Sequence, residues 1–255
     1  MLSASNMPPP HELHNYCFRR DVKEIPTTVL LLPAFALIDN VVPSNVPDLV
    51  RDHINPAPTN TTPLHTAPST ATTASSDTDL TLSRFSSPNS ALQLVSRPCP
   101  HDYLILLCSQ KTRDARCGQS APLLRRELER HLRPLGLYRD LQDERPGGVG
   151  IYFISHVGGH KFAANVMVYR RAGSAGARAP RTSDGEGGGL APESHTDGKE
   201  ETVESREAAQ CIWLARVRPE DCENIVRYTV LQGKVVKPDR QLRGGFDRRK
   251  GLVSW

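Results

Sequence analysis

Aromatic side chains make up only 5% of the 255 residues and apolar ones 38%, against 21 prolines and 18 glycines. Side chains that bury so little area cannot offset the ordering entropy of the whole chain. A compact globule of this length is therefore excluded, and one domain of ordinary size with long disordered additions is expected. Long hydrophobic runs are missing as well. Runs such as Val29 to Leu32 and Tyr103 to Cys108 are strand-sized and fall far short of the roughly 18 consecutive apolar residues of a transmembrane helix, so a soluble protein is expected. The first 25 residues contain Glu12, Asp21 and Glu24 and no apolar core, unlike a secretory signal or an acid-poor transit peptide. A cytoplasmic location is expected, with the mitochondrion as the alternative. Neither sign of charge dominates, since 32 Lys+Arg against 28 Asp+Glu leave +4.

What is present is unevenly spread. Residues 56–79 hold 11 Ser/Thr and 4 Pro in 24 positions with one Leu, a composition without helical or strand periodicity. A disordered linker is expected over 56–90. Residues 172–207, running through Gly187-Gly188-Gly189 to Glu200-Glu201, lack any apolar pattern and are expected to form a disordered insert between two strands. Residues 1–55 are expected to be a partly ordered remnant of an N-terminal region. Within them Thr27 to Ile54 offers one apolar run and a weak amphipathic patch, too little to fold alone.

Residues 98–255 are expected to form the main domain. Tyr103 to Cys108 is a continuous apolar run, as in a strand buried on both faces. Ser120 is expected to cap a helix carrying Leu124, Leu128 and Leu132, which Pro134 and Gly136 stop. Gly148 to His156, Phe162 to Arg170 and Cys211 to Val217 read as further strands. Pro219 opens a helix that ends at Gly233. This order is that of an α/β protein with a thioredoxin-like sheet.

Six cysteines without secretory context favour metal or redox use over a disulfide framework. Cys108 closes a strand and Cys117 precedes a helix, with eight residues between them, so both thiols can reach one edge of the sheet; the positive end of that helix is expected to lower the Cys117 pKa. His156 and His160 flank Val157-Gly158-Gly159, which disfavours a helix and belongs in a tight loop. The helical His-Glu-x-x-His pattern of zinc proteases is thereby excluded, since Val157 stands where its glutamate belongs. Two thiolates and two imidazoles suit either a Cys₂His₂ zinc site or a [2Fe–2S] cluster of mixed ligation. The wide Cys108–Cys117 gap differs from the two-to-four-residue knuckles of zinc fingers and favours the cluster.

The segments Leu107-Cys108-Ser-Gln-Lys-Thr-Arg-Asp-Ala-Arg-Cys117-Gly118, Ser155-His156-Val-Gly-Gly-His160-Lys-Phe-Ala-Ala-Asn165 and Leu242-Arg-Gly-Gly-Phe246 closely resemble the sucrase/ferredoxin-like family. The resemblance covers 98–255 apart from the insert. It implies a thioredoxin-like ferredoxin domain whose [2Fe–2S] cluster is held by Cys108, Cys117, His156 and His160. The family usually carries a further, partly cysteine-containing region ahead of the segment resembling Thr27 to Ile54; here Cys17 and a short lead stand in its place. No pair of carboxylates stands in a recognisable glycosidase context, so the word sucrase finds no support.

The function expected is a one-electron carrier without substrate chemistry of its own, working with an unidentified redox partner protein. The alternatives are a thiol–disulfide oxidoreductase using Cys108 and Cys117, or a structural zinc module. Lys234 to Lys250 carries seven Lys/Arg against two Asp and reads as a solvated basic tail; nucleic acid and membrane partners are not expected. Trp213 reads as core. The terminal Trp255 resembles the short aromatic tails by which some cytosolic iron–sulfur proteins meet the cytosolic cluster-assembly machinery, and is expected to be such a docking peptide.

Overall fold

The computed structural model of the chain describes residues 2–9, 24–64, 93–174 and 206–253. In chain order the elements are β1 (Thr27–Leu31), β2 (Ala36–Val41), α1 (Val46–Leu49, continued by a wider turn over Val50–Ile54), β3 (Val95–Pro98), β4 (Tyr103–Cys108), α2 (Ala115–Leu132), β5 (Val149–Ile154), β6 (Val166–Arg171), β7 (Ala208–Leu214), α3 (a helical run over 219–230), α4 (Pro238–Gln241) and β8 (Leu242–Asp247). The fold is mixed α/β with two sheets. The larger has the order β5-β4-β6-β7-β8, with β4 and β5 parallel and the other pairs antiparallel. This is the thioredoxin-like arrangement expected from the sequence, with β8 added at one edge. The smaller sheet, β1-β2-β3, is antiparallel throughout.

Period-two alternation in β4 explains the layering, because successive side chains point to opposite faces of a sheet. Ile105 and Leu107 pack with Leu124, Leu128 and Leu132 of α2 and with Ile225 and Val230 of α3. Leu104 and Leu106 pack on the other face with Phe35, Leu37 and Cys99 of the smaller sheet and its flanks. Every residue of β4 is buried, as its unbroken apolar run requires. The segment Thr27 to Ile54 is thus a cover for the second face of the sheet.

Several local expectations change. The N-cap of α2 is Asp114, whose carboxylate accepts from the Arg116 backbone N–H, so the helix starts five residues before Ser120 and includes Cys117. Ser120 lies within the helix and donates to the Arg116 carbonyl, the other use a serine hydroxyl finds near a helix start. β6 begins at Val166, and the expected strand start at Phe162 is instead the end of a single turn, His160–Phe162. The basic stretch from Lys234 to Lys250 is no solvated tail: it contains α4 and the edge strand β8, and Arg248 is buried. Arg248 donates to the carbonyls of Thr62 and Pro63 and to Glu207, which orders residues 56–64 of the expected linker. Residues 65–92 and 175–205, the rest of the expected linker and most of the expected insert, lie outside the described residues. The ends of the insert meet where the Ala172 N–H donates to the Glu207 carbonyl at 2.8 Å. Among the described residues no helix is long and apolar enough to cross a membrane.

Candidate metal centre

Strand direction decides what lies at each end of the large sheet. β4, β5 and β7 finish at one end, where β6 and β8 begin. Cys108 is the last residue of β4, and Cys117 sits in the first turn of α2. His156 follows the end of β5 by two residues. The Cys108 sulfur, the Cys117 sulfur and a ring nitrogen of His156 all lie within 4.8 Å of one another. The sulfur of Cys108 is 3.8 Å from His156 Nδ1. Both cysteines are at most 1% exposed, whereas His156 is partly exposed.

The surrounding chain holds these three groups in place by backbone contacts. The Ser109 N–H donates to the Ile154 carbonyl at 3.0 Å and the Cys108 N–H to the Asn165 carbonyl at 3.1 Å. Gln110 accepts from the His156 N–H at 3.2 Å, tying the cysteine loop to the histidine loop. Gly118 is needed on α2 because a Cβ there would stand 2.6 Å from Lys111 Cβ, so any larger residue would push the cysteine loop off the helix. Gly158 and Gly159 have φ of +83° and +71°, the left-handed region that glycine adopts without strain. They turn the chain between His156 and His160, as the sequence indicates. The His160 backbone lies in the following turn, and the structure does not describe its side chain. On the other flank the N-terminal segment runs along β5, where Ser155 N–H donates to the Ala4 carbonyl at 2.9 Å.

Three residues that sequence reasoning did not single out complete the surroundings. Arg243, from the start of β8, donates to the Gly158 carbonyl at 3.1 Å and to Asn165 Oδ1 at 2.9 Å. Its guanidinium lies 4.0 Å from the Trp213 ring centroid and 4.6 Å from that of Phe162. Burial lowers the Arg243 pKa, with Cys108 acting the other way. Asn165 is buried, and its Nδ2 has no hydrogen-bond partner. The family segments contain Asn165 and Arg243, but their meeting is a matter of strand order that no spacing reveals. Phe162 is likewise brought in by the single turn after Gly159.

The Cys117 pKa is raised, first by burial and then by the neighbouring Cys108 thiol, while the Asn165 backbone hydrogen bond pulls the other way. The expected lowering by the helix terminus is therefore overturned, because removal from water outweighs the helix dipole. The remaining described cysteines, Cys99, Cys211 and Cys222, are buried elsewhere in the core, and Cys17 lies outside the described residues.

Two thiols and an imidazole, converging in a buried place with no carboxylate in the group, form a donor set for a soft or borderline metal. The unpaired amide donor of Asn165 beside it suits a centre that offers acceptor atoms. The residues present fit an iron–sulfur cluster of mixed ligation, and they fit a zinc ion too. Fold and donor set together define a thioredoxin-like domain with a Cys/His centre at one end of its sheet. The profile of the sucrase/ferredoxin-like family matches residues 1–244, and the chain belongs to that family.

Similarity to individual proteins is partial. Actin patches distal protein 1 of Saccharomyces cerevisiae is 54% identical over 67 residues, 26% of this chain and 21% of that protein. Altered inheritance of mitochondria protein 32 of Meyerozyma guilliermondii is 29% identical over 153 residues, 60% of this chain and 36% of the relative. The protein of the same name from Candida glabrata is 26% identical over 176 residues, 69% of this chain and 41% of the relative. The chain thus spans well under half the length of these curated relatives. No solved structure matches it.

Proposed function

We propose that Cys108, Cys117, His156 and His160 hold a [2Fe–2S] cluster and that the protein is a one-electron carrier. The observation that carries this reading is the convergence of Cys108, Cys117 and His156 within 4.8 Å at one end of a thioredoxin-like sheet in a sucrase/ferredoxin-like chain. Such a cluster supplies reversible one-electron chemistry, at a potential that neutral imidazole ligands raise above that of all-cysteine sites. The chain's own part is to bind, orient and exclude water. Cys108 and Cys117 give up their thiol protons on ligation and are enclosed by the sheet and α2. Gln110 and the Gly158-Gly159 turn aim His156 from the partly exposed side. His156 Nδ1 lies toward Cys108; histidine ligands to such a cluster would each leave a second ring nitrogen able to carry a proton, which would couple reduction to proton uptake.

Two other readings stay in view. The compactness of the three donors suits a single zinc ion in a Cys₂His₂ site. A thiol–disulfide oxidoreductase would use Cys108 and Cys117, but the raised Cys117 pKa works against a thiolate nucleophile at neutral pH. We place the protein in the cytoplasm, with the mitochondrion as the alternative that the name of its protein 32 relatives suggests. Trp255, outside the described residues, is proposed as the docking residue for cytosolic cluster assembly.

Anaerobic expression with iron followed by visible absorption decides among the readings. A cluster-loaded protein is coloured, contains about two irons per chain and shows a potential that falls as pH rises between about 6 and 9, around the ordinary His range. A colourless zinc protein, or a metal-free one that reduces disulfides, would overturn the proposal.

A further inference from the structure

The end of the sheet that carries the Cys/His group also collects positive charge. Loops 109–114, 155–165 and 215–218 and helix α4 all border it, because of the strand directions. Lys111, Arg113, Lys161, Arg216 and Arg240 are exposed there, and Arg243 is half-buried. The nearby carboxylates are mostly taken: Asp114 pairs with Arg116 at 3.0 Å, Asp221 with Lys237 at 2.6 Å and Glu220 with Arg218 at 3.6 Å. Asp239 of α4 is exposed. Among the described residues no ion pair neutralises any of the six cations named.

Three of them crowd one ring. Lys161 Nζ lies 5.0 Å, Arg216 Cζ 5.8 Å and Arg243 Cζ 4.6 Å from the centroid of Phe162. Like charges so placed repel within a range that physiological salt, with a Debye length of about 8 Å, screens only partly. Arg243 cannot swing away, being held by the Gly158 carbonyl and Asn165 and stacked on Trp213. An arrangement that costs the free protein electrostatic energy and surrounds a candidate redox site is complementary to a negatively charged surface.

We propose that this rim is the docking surface for an acidic one-electron carrier protein. Its carboxylates would meet Lys161, Arg216 and Arg243 about Phe162 on one side of the site and Lys111 and Arg113 on the other. The partner's redox group then faces the partly exposed edge of His156. The proposal rests on the electron-carrier reading. In the transfer the donor is oxidised by one electron and this protein is reduced by one, with no bond made or broken between them. Nucleic acid fits less well, because three cations already crowd the Phe162 ring on which a base would have to stack.

The test uses the cluster-loaded full chain and reduced flavodoxin, a small acidic one-electron donor, as the probe. Stopped-flow reduction should slow about tenfold as salt rises from low to several hundred millimolar, the behaviour of a steered encounter. Lys161→Glu and Arg113→Glu, at exposed positions on opposite sides of the site, should each slow it several-fold at low salt. Their reduction by hexaammineruthenium(II), a small cation, should be unchanged or faster. A rate independent of salt and of both variants overturns the proposal. So does equal slowing with both donors, which means structural damage, and so does salt-sensitive binding of oligouridylate without any flavodoxin effect. Flavodoxin binding to the metal-free chain, titrated at two salt concentrations in parallel, reports the surface alone. A colourless protein that still binds loses the electron-carrier reading and keeps the acidic partner; one that does not bind loses both.

Discussion

At the scale of single residues, five described cysteines share burial but not surroundings. Cys108 and Cys117 face each other and His156, whereas Cys99, Cys211 and Cys222 face apolar neighbours. Burial pushes Cys211 and Cys222 up to about 12 and raises Cys99 as well, so these three stay protonated and inert at neutral pH. Cys108→Ala or Cys117→Ala should abolish the colour and iron content of the loaded protein. Cys99→Ala, Cys211→Ala and Cys222→Ala should each keep both, at a cost of about 1 kcal/mol for one lost buried heavy atom. Iron per chain and visible absorbance on the purified variants check this, and undiminished iron in both of the first two would remove the ligand assignment. The ligand candidates were legible in the sequence because each pair sits in one short loop with its own punctuation, a strand end before Cys108 and two glycines after His156. Arg243 and Asn165 were not singled out, because their partners are 78 residues apart in the chain.

At the scale of elements, Asp221 joins the start of α3 to α4, the helix that leads into β8 at the site's end of the sheet. Its carboxylate accepts from Lys237 Nζ at 2.6 Å, Gln241 Nε2 at 2.8 Å and the Arg218 N–H at 2.9 Å. Burial alone would raise its pKa, but the three donors overcome that and hold it below the ordinary 3.8. A lowered folded-state pKa stabilises the protein above the unfolded value, and the contribution is lost as pH falls through the folded one. Asp221→Asn should therefore destabilise by about 1–3 kcal/mol at pH 7, by leaving buried donors poorly matched. The difference from wild type should shrink when urea unfolding is repeated near pH 3. A difference that does not change with pH would mean that the carboxylate charge contributes nothing. The helix starts show what local pattern can and cannot settle. Pro219 correctly marked the opening of α3, but Ser120 and Asp114 both satisfy the capping preference, and the Asp114 cap comes with a close approach of Lys111 to Gly118 that local pattern does not reveal.

For the whole molecule, the important relation is between the two sheets. Phe35, 1% exposed, packs in the same cluster as Leu104, Leu106 and Phe246 of the large sheet, and its carbonyl accepts from the Cys99 N–H at 2.8 Å. The smaller sheet therefore closes a core that the larger one cannot close alone. Phe35→Ala should cost about 3–5 kcal/mol, the range for deleting a buried aromatic ring. Urea unfolding should remain one transition, because both sheets share the apolar layer between them. Two separate transitions, with the second unshifted, would show that the sheets are independent units.

The sequence by itself determined the parts whose signals are local: the apolar run of β4, the stops at Gly136 and Gly233, the tight turn between His156 and His160, and the thioredoxin-like order of elements. Such signals come from neighbours two to four positions apart, where backbone geometry alone decides which side chains share a face. Tertiary structure decided the rest. Whether Lys234 to Lys250 is a tail or an edge strand depends on β7 offering a free ladder, which composition does not record. The closeness of Arg243, Phe162 and Asn165 to Cys108 depends on five strands ending or beginning at the same side. The Cys117 pKa followed burial and the opposing thiol because desolvation is a property of the assembled core, and no stretch of sequence carries it.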